Sequence, residues 1–215
     1  MQEEEEETLV TEPCCACEEA KYEVMFQGLW SKETHPRDFP TSEWLLHFSD
    51  VIGASHSADY RVWQKGGIAS KGLEQVVNYI GVFLSRVFFL LKYFLKVAKW
   101  GSPRLLESEL KSSSRHIRTI IKARGLWHPN VQGKTFAIFR TDPKNHLVSL
   151  VSMLGPSPDW IVGISSLELC LANCTWLDKK EIPLYPWDAG VDDGISYESP
   201  DSAVPSFRYV VLIRR

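Results

Sequence analysis

Two aspartates in loops rich in turn-forming residues are the side chains best suited to hold a metal ion. Asp159 lies in the string PSPDW, and Asp188 lies in the string PWDAG. Pro156 and Pro158 stiffen the approach to Asp159, and Gly190 lets the backbone turn closely after Asp188. Loop-borne aspartates are typical ligands of calcium, which takes about six to eight oxygen atoms. Aspartate is also a favoured turn residue, so turn capping is the alternative that the residues alone leave open.

The cysteines fall into two clusters that lie far apart in the chain. The first contains Cys14, Cys15 and Cys17, and the second contains Cys170 and Cys174. This spacing does not suit a zinc site made of two C-x-x-C pairs, and it favours a disulfide between the N-terminal arm and a distant loop. Because there are five cysteines, at least one thiol stays free or pairs with another chain. A disulfide in turn implies an oxidising compartment.

The N-terminal residues and one short triplet bear on where the protein is found. The triplet that begins at Asn173, NCT, matches the acceptor pattern for N-glycosylation and is a second, weaker indication of secretion. Acidic residues follow Met1, so no signal peptide is visible, and we expect an excerpt or an incomplete chain. The run from Glu3 to Glu7 is typical of a solvated tail, and we expect residues 1–13 to be disordered.

Charge and missing motifs narrow the class of protein. The net charge is -3, with no concentration of basic residues, so the sequence gives no reason to expect nucleic-acid binding. The chain contains no Gly-rich phosphate loop, no nucleophile elbow and no H-E-x-x-H motif. We therefore expect a domain without enzymatic activity.

Periodicity predicts strands with a helix between them. Residues 21–27 alternate, with Tyr22, Val24 and Phe26 on one face, and Gly28 ends this strand. Residues 29–60 are predicted as long loops, and residues 60–64 as a short strand. A helix is predicted to begin at Ser102-Pro103, to carry an apolar stripe as far as Ile121 and to end at Gly125. The later predicted strands are residues 135–140, 147–154, 160–164 and 207–213. This pattern predicts a mainly β protein, a β-sandwich with helical inserts.

One apolar segment does not fit a sandwich. Residues 77–97, VNYIGVFLSRVFFLLKYFLKV, approach the length of a membrane span. Arg86 lies near the middle, where a charge costs about 2.5 to 3.5 kcal/mol on insertion scales. Lys92 and Lys96 share one face of a helical wheel and Arg86 points away from it, which suits an interfacial helix poorly. The open interpretations are an insertion foreign to the domain, a buried or surface-lying helix, and a true span.

Several long and unusual strings resemble the spondin domain family of F-spondin and mindin. They occur in the family's order, between about Cys14 and Pro200. The strings are KYEVMFQGLWSKETHPRDFP from Lys21, GASHSADYRVW from Gly53, GGIASKGLEQV from Gly66, HLVSLVSMLGPSPDWIVGISSLELC from His146 and YPWDAGVDDGISYESP from Tyr185. The resemblance implies a C2-like antiparallel β-sandwich over residues 14–215, interrupted by the apolar insertion at 77–97.

The resemblance also assigns roles to individual residues. It implies a bound calcium ion, with Asp159 and Asp188 as ligands and Asp142 as the nearest acid to a third. It implies that Cys170 pairs with a cysteine near the N-terminus, and here the partner is Cys14 or Cys17.

The function implied by the resemblance is that of a secreted cell-adhesion module of the extracellular matrix. Such a module binds calcium and engages cell-surface receptors or matrix components, and guidance of growing axons is among the roles of the family. Two alternatives belong to other classes. One is a membrane-anchored protein that spans the bilayer through residues 79–97. The other is a calcium-dependent lipid-binding module, which a C2-like fold alone would suggest.

Overall fold

A computed structural model describes residues 13–36, 39–64, 67–77, 102–191, 194–197 and 211–212. Short 3-10 turns lie at Glu43–Leu45 and Ser114–His116. The strands and helices, in chain order, are β1 (Ala20–Gln27), β2 (His47–Phe48), β3 (Val51–His56), α1 (Lys71–Val77), α2 (Arg104–Ser112), β4 (Ile117–Ala123), β5 (Leu126–Trp127), β6 (Lys134–Thr141), β7 (Leu147–Gly155), β8 (Trp160–Glu168), β9 (Trp187–Asp188) and β10 (Val211–Leu212).

The strands form a large sheet and a separate two-stranded ribbon. The large sheet has the order β10-β9-β8-β7-β2-β5, and β3 joins it by pairing with both β7 and β4. The ribbon consists of β1 and β6, with Ala20 opposite Thr141 and Gln27 opposite Lys134. All these pairings are antiparallel.

Strand β7 lies at the centre of the molecule and is buried along its whole length. Successive side chains of a strand point to opposite faces of the sheet. Val148 and Leu150 accordingly pack toward the ribbon, whereas Val151 and Met153 pack toward the helices. The large sheet is therefore covered on both faces, which explains why the sequence of β7 is apolar without a polar alternation.

The β1–β6 ribbon covers one face of the large sheet. Tyr22, Val24 and Phe26 are half-buried and pack on the cluster that contains Val148 and Leu150, while the residues between them are exposed. The period-two pattern predicted for residues 21–27 is confirmed.

Helices α1 and α2 cover the opposite face. Leu73 and Val76 of α1 and Leu106 and Leu110 of α2 are buried in one cluster with Val151 of β7. The mainly β, antiparallel sandwich with helical inserts is therefore confirmed as the fold class.

The long helix predicted from Ser102 to Gly125 is wrong in its second half. Helix α2 ends at Ser112, and the apolar residues from Ile117 onward belong to strand β4, which pairs with β3. Three of these residues are isoleucines, and β-branched side chains favour strands over helices. The helix also begins at Arg104, with Pro103 as its N-cap and without a side-chain capping bond.

The loops predicted for residues 29–60 and the strand predicted for 60–64 need correction as well. Strand β3 lies within the first range, and all six of its residues are buried, so no polar alternation marked it. Gly53 is required there, because a Cβ at this position would meet the backbone of Ser149. Residues 60–64 form no strand. Instead Val62 and Trp63 are buried loop residues, and Trp63 Nε1 donates to the carbonyl of Leu150 at 3.1 Å.

Three predictions fall wholly or largely outside the described residues. Of the tail predicted at 1–13, residues 1–12 lie outside the described ranges. Of the strand predicted at 207–213, residues Val211–Leu212 are described as β10. Of the apolar segment 77–97, residues 78–97 lie outside the described ranges, and so does the proposed span at 79–97. Within the residues that the structure does describe, no helix is long and apolar enough to cross a bilayer.

Candidate functional site

Asp159 lies in the tight connection between the two longest strands of the large sheet. It directly precedes β8, and Trp160 N donates to Ser157 Oγ at 2.9 Å, which closes the turn. The side chain of Asp159 is fully buried, with 0% exposure. Its Oδ2 atom accepts a hydrogen bond from Val191 N at 2.6 Å. A carboxylate so far from water needs charged or polar partners to remain ionised.

Asp188 lies directly beside this turn, because strand β9 pairs with the start of β8. Asp188 is opposite Trp160 in the register. Its Oδ1 atom accepts a hydrogen bond from Gly190 N at 2.7 Å. The φ angle of Gly190 is 72°, in the left-handed region that favours glycine, so the chain can fold back over the two carboxylates. Ala189 N donates to the carbonyl oxygen of Asp159 at 3.3 Å, which fastens the same loop.

The two aspartates therefore meet at one end of the sheet. Consecutive backbone amides, those of Gly190 and Val191, donate to Asp188 and Asp159 respectively. The loop of residues 189–191, which we call the carboxylate loop, thus contacts both side chains. Amide donors stabilise the ionised form of a carboxylate, and paired carboxylates attract a divalent cation.

An aromatic cluster supports this end of the molecule from inside. The ring of Tyr197 lies between Trp30, at 5.4 Å between centroids, and Trp160, at 4.6 Å. Burial raises the pKa of Tyr197 to about 12. Both Trp160 and Tyr197 are less than a tenth exposed. The chain after the carboxylate loop is thereby anchored again next to Asp159.

In the type of its acidic groups the arrangement fits a calcium ion. Asp159 and Asp188 would hold it through oxygen atoms, which calcium prefers. Among the described residues no three His, Cys, Asp or Glu side chains form a metal-binding group. The remaining ligands of about six to eight would be backbone carbonyls and water.

Asp142 is not brought to this place. It follows β6 and precedes β7, whereas Asp159 lies beyond the far end of β7. Asp142 Oδ1 accepts hydrogen bonds from the backbone amides of Lys144 and Asn145, and Oδ2 pairs with Arg118 Nε at 3.3 Å. In this structure the side chain closes a turn, and its role as a third metal ligand stays a prediction.

Two disulfides attach the N-terminal arm to the loop after β8. Cys14 bonds to Cys170, which resolves the choice that the resemblance left open, and Cys15 bonds to Cys174. Cys17 is a free, exposed thiol. The second bridge was not predicted. The spacing of the cysteines could have indicated it, because two cysteines near the start of the chain can pair with two cysteines in one short loop.

The arm is also held by hydrogen bonds around the bridges. Trp176 Nε1 donates to the carbonyl of Glu18 at 2.9 Å, and the hydroxyl of Tyr22 donates to the carbonyl of Leu177 at 2.8 Å. The glycosylation candidate Asn173 is exposed in the same loop, and Thr175 Oγ1 donates to Asn173 Oδ1 at 2.7 Å.

A buried polar cluster on β3 and β7 is a second feature that the sequence did not predict. His56 is fully buried, its Nδ1 donates to the carbonyl of Ser57 at 2.9 Å, and its Nε2 accepts from Ser149 Oγ at 2.8 Å. Ser149 Oγ also accepts a hydrogen bond from Ser166 N at 2.8 Å. Burial lowers the pKa of His56 below its ordinary value of 6.5, against smaller opposing contributions from backbone hydrogen bonds.

The fold is an antiparallel β-sandwich with two disulfides, and two aspartates lie together at one end of it. This class of β domain is suited to an oxidising compartment. The chain belongs to the Spondin_N family, whose sequence model matches residues 20–81 and 90–214. The residues left between these two ranges, 82–89, lie within the apolar segment.

Relatives of known identity point to the same family. Spondin-1 of Gallus gallus is 43% identical over 192 residues, which cover 87% of this chain and 21% of that protein. Spondin-1 of Homo sapiens is 42% identical over the same shares. Spondin-2 of Homo sapiens is 31% identical over 193 residues, or 88% of this chain and 51% of that protein. The chain thus spans about a fifth of the length of Spondin-1 and about half of that of Spondin-2.

Proposed function

We propose that this domain is a secreted, non-enzymatic adhesion module of the extracellular matrix that binds calcium through Asp159 and Asp188. The observation that carries the proposal is the convergence of these two carboxylates under the carboxylate loop, with Asp159 fully buried. A buried carboxylate is costly unless it is neutralised, and a calcium ion between two carboxylates would supply that charge.

Calcium binding is tested by titration calorimetry on the metal-free domain. Asp159→Asn and Asp188→Asn each remove one negative oxygen ligand and change little else in volume, so each is expected to weaken binding at least about tenfold. Asp142→Asn is the matched control, because Asp142 lies at the other end of β7. Unchanged affinity in both of the first two variants would exclude the site, and an equal loss in Asp142→Asn would show that the effect is not specific to Asp159 and Asp188.

The intrinsic fluorescence of the domain offers an independent readout. Trp160 follows Asp159 and lies opposite Asp188 in the sheet, so an ion held by these carboxylates would change its surroundings. We expect a calcium-dependent change in tryptophan emission with the same midpoint as the calorimetric titration. The change should be absent in Asp159→Asn.

The adhesion role rests on the family and on the disulfide-bonded arm, which suits an extracellular protein. In this proposal the calcium ion fixes the loops at one end of the sandwich, and the exposed surface engages cell-surface receptors or matrix components. Attachment of cells to the immobilised domain is expected to exceed attachment to an inert protein and to fall in a chelator. Equal attachment to both surfaces would contradict it.

Two finer features belong to the same proposal. Asn173 is proposed to carry an N-linked glycan, and its exposure in the bridged loop supports this. A shift in mass on glycosidase treatment, absent in Asn173→Gln, would test it. A role in axon guidance is carried by the family resemblance, and outgrowth of neurons on the domain compared with Asp159→Asn would test that role.

A further inference from the structure

The segment between β8 and β9 contains an exposed pair of lysines, Lys179 and Lys180. Residues 178–186 form neither helix nor strand, and residues 178–183 are exposed without interruption. The side chain of Lys179 is 79% exposed, and its ion pair with Glu181 lies fully at the surface. Exposed segments without regular structure are the preferred sites of proteolytic nicking, because a protease can bind them without opening the fold.

Most other exposed basic residues in the described part of the chain are less accessible as backbone, although Arg61 and Arg124 also lie outside helices and strands. Lys71, Lys122 and Lys134 lie in helices or strands. Lys32 lies in a turn closed by the bond from His35 N to the Ser31 carbonyl. Cleavage at such positions requires local opening first, which slows it.

The position of this segment relative to the disulfides determines what a cut would do. Both bridges lie on its N-terminal side, since the last bonded cysteine is Cys174. The fragment that begins after Lys180 would therefore be free of covalent attachment to the rest of the domain. It carries Asp188, whereas Asp159 remains on the other fragment.

We propose that the Lys179-Lys180 pair is a cleavage site for an extracellular trypsin-like serine protease, and that the cut divides the two aspartates between separate chains. Water hydrolyses the peptide bond after Lys180: the C–N bond breaks, hydroxide adds to the carbonyl carbon of Lys180, and the proton goes to the new amine of Glu181. No other reactant is consumed. The second half of the proposal rests on the calcium site proposed above.

Among the described residues, only non-covalent interactions would then hold the fragment of residues 181–215. They include the short β8–β9 pairing, the bond from Val191 N to Asp159, and the packing of Tyr197 against Trp160. A calcium ion bound to both aspartates would bridge the two chains. Cleavage thus makes retention of the fragment, and with it the integrity of the site, dependent on calcium.

The cleavage is tested with trypsin at a low ratio to the folded, oxidised domain, followed by mass spectrometry and N-terminal sequencing of the first products. The expected first new N-terminus is Glu181 or Lys180. The double variant Lys179→Gln, Lys180→Gln is expected to slow the first cut at least about tenfold, because it removes the basic side chains that the protease recognises in this exposed segment. Lys144→Gln, a change of an exposed lysine in a short turn, should leave the rate unchanged. A first cut in any other segment would overturn the cleavage site.

The division of the calcium site is tested on the cut protein by size-exclusion chromatography without reductant. We expect the fragment of residues 181–215 to elute with the body in calcium and to separate from it in a chelator. A cut at the lysine pair with identical elution in both buffers would overturn the link to calcium while leaving the cleavage site in place. Failure of the calcium proposal and failure of the cleavage proposal are therefore distinguishable.

Discussion

The backbone amide of Val191 donates a hydrogen bond to Oδ2 of Asp159 at 2.6 Å, across 32 residues of sequence. The donor belongs to the carboxylate loop, in which the neighbouring amide of Gly190 donates to Asp188 Oδ1. The bond to Asp159 means that the carboxylate loop is already folded over Asp159. An ion that binds here would meet a site that is largely formed, and the entropy lost on binding would be correspondingly small.

Gly190 is expected to be required for that loop. Gly190→Val forces a β-branched residue into the left-handed region, which costs about 1 to 2 kcal/mol. It also moves the backbone amide from which Asp188 Oδ1 accepts a hydrogen bond. Urea denaturation and calcium titration should both show a loss. Gly190→Asn is the control, because asparagine tolerates this conformation, and it should cost clearly less. Equal losses in the two variants would show that the backbone conformation is not the cause.

When the two disulfides are removed in succession, the second removal is expected to lower the free energy of unfolding more than the first. Each closes a loop of more than 150 residues, 156 for Cys14–Cys170 and 159 for Cys15–Cys174. Once one bridge is present, the other closes only a small ring, so Cys15→Ser with Cys174→Ser should cost about 2 kcal/mol in the chain-entropy model.

Removal of the remaining bridge should then cost about 5 kcal/mol more, since it releases the whole loop. Chemical denaturation of the double and quadruple serine variants measures both steps. A first step as large as the second would contradict the view that the two bridges share one constraint.

The stability of the domain is expected to fall in mild acid because of His56. Burial lowers the pKa of this side chain below 6.5 in the folded protein, so the unfolded chain binds the proton first. The contribution of the neutral ring is present in full above pH 6.5 and is lost progressively as the pH falls from there toward the folded pKa. Protonation would also leave Ser149 Oγ with two donors and no acceptor for its own proton.

The measurement is the free energy of unfolding in urea at about pH 7 and about pH 5. His56→Gln should be less stable at neutral pH but should show a smaller difference between the two values. His128→Gln, at an exposed position, should retain the full difference. An equal pH dependence in the His56 variant and the unaltered domain would assign the effect to other groups.

Helix α2 is expected to contribute to the stability of the domain through a single apolar face. Leu110 is fully buried against the large sheet, whereas Leu105 is 39% exposed. Leu110→Ala should cost about 2 to 5 kcal/mol through lost burial and a cavity, as core truncations do. Leu105→Ala should change the unfolding free energy by less than about 0.5 kcal/mol, which is typical of surface positions. Similar losses for both would contradict the packing described.

The sequence predicted strand β1 from its polar alternation and strand β7 from its long apolar run, but it predicted neither β3 nor β4. The pattern of β1 was sufficient because one of its faces contacts solvent. Strand β3 is buried on both faces, so its sequence, VIGASH, offers no period. It also includes the polar residues Ser55 and His56, whose hydrogen-bond partners are in part distant in the sequence. Strand β4 was mistaken for the end of a helix because Ile117, Ile120 and Ile121 also suit a helical stripe. Its pairing with β3 is a tertiary feature.

The sequence identified candidate residues for the site, and the structure shows which of them lie close to one another. Asp159 and Asp188 were both proposed from turn-rich strings, and they lie together because β9 pairs with the start of β8. Asp142 has an equally suitable side chain but lies beyond the other end of β7. No local property of the sequence distinguishes these cases, since proximity depends on which strands become neighbours.

The attachment of Cys14 and Cys15 to the loop after β8 also has a mechanical consequence. Tension applied between the N-terminal arm and the end of the chain would pass through the two bridges to Cys170 and Cys174 and onward, leaving residues 16–169 outside the covalent path of the force. Strand β1 would not be peeled from β6, because its hydrogen bonds would carry none of the pull. A domain built in this way can be stretched from its ends while most of its sandwich stays at rest.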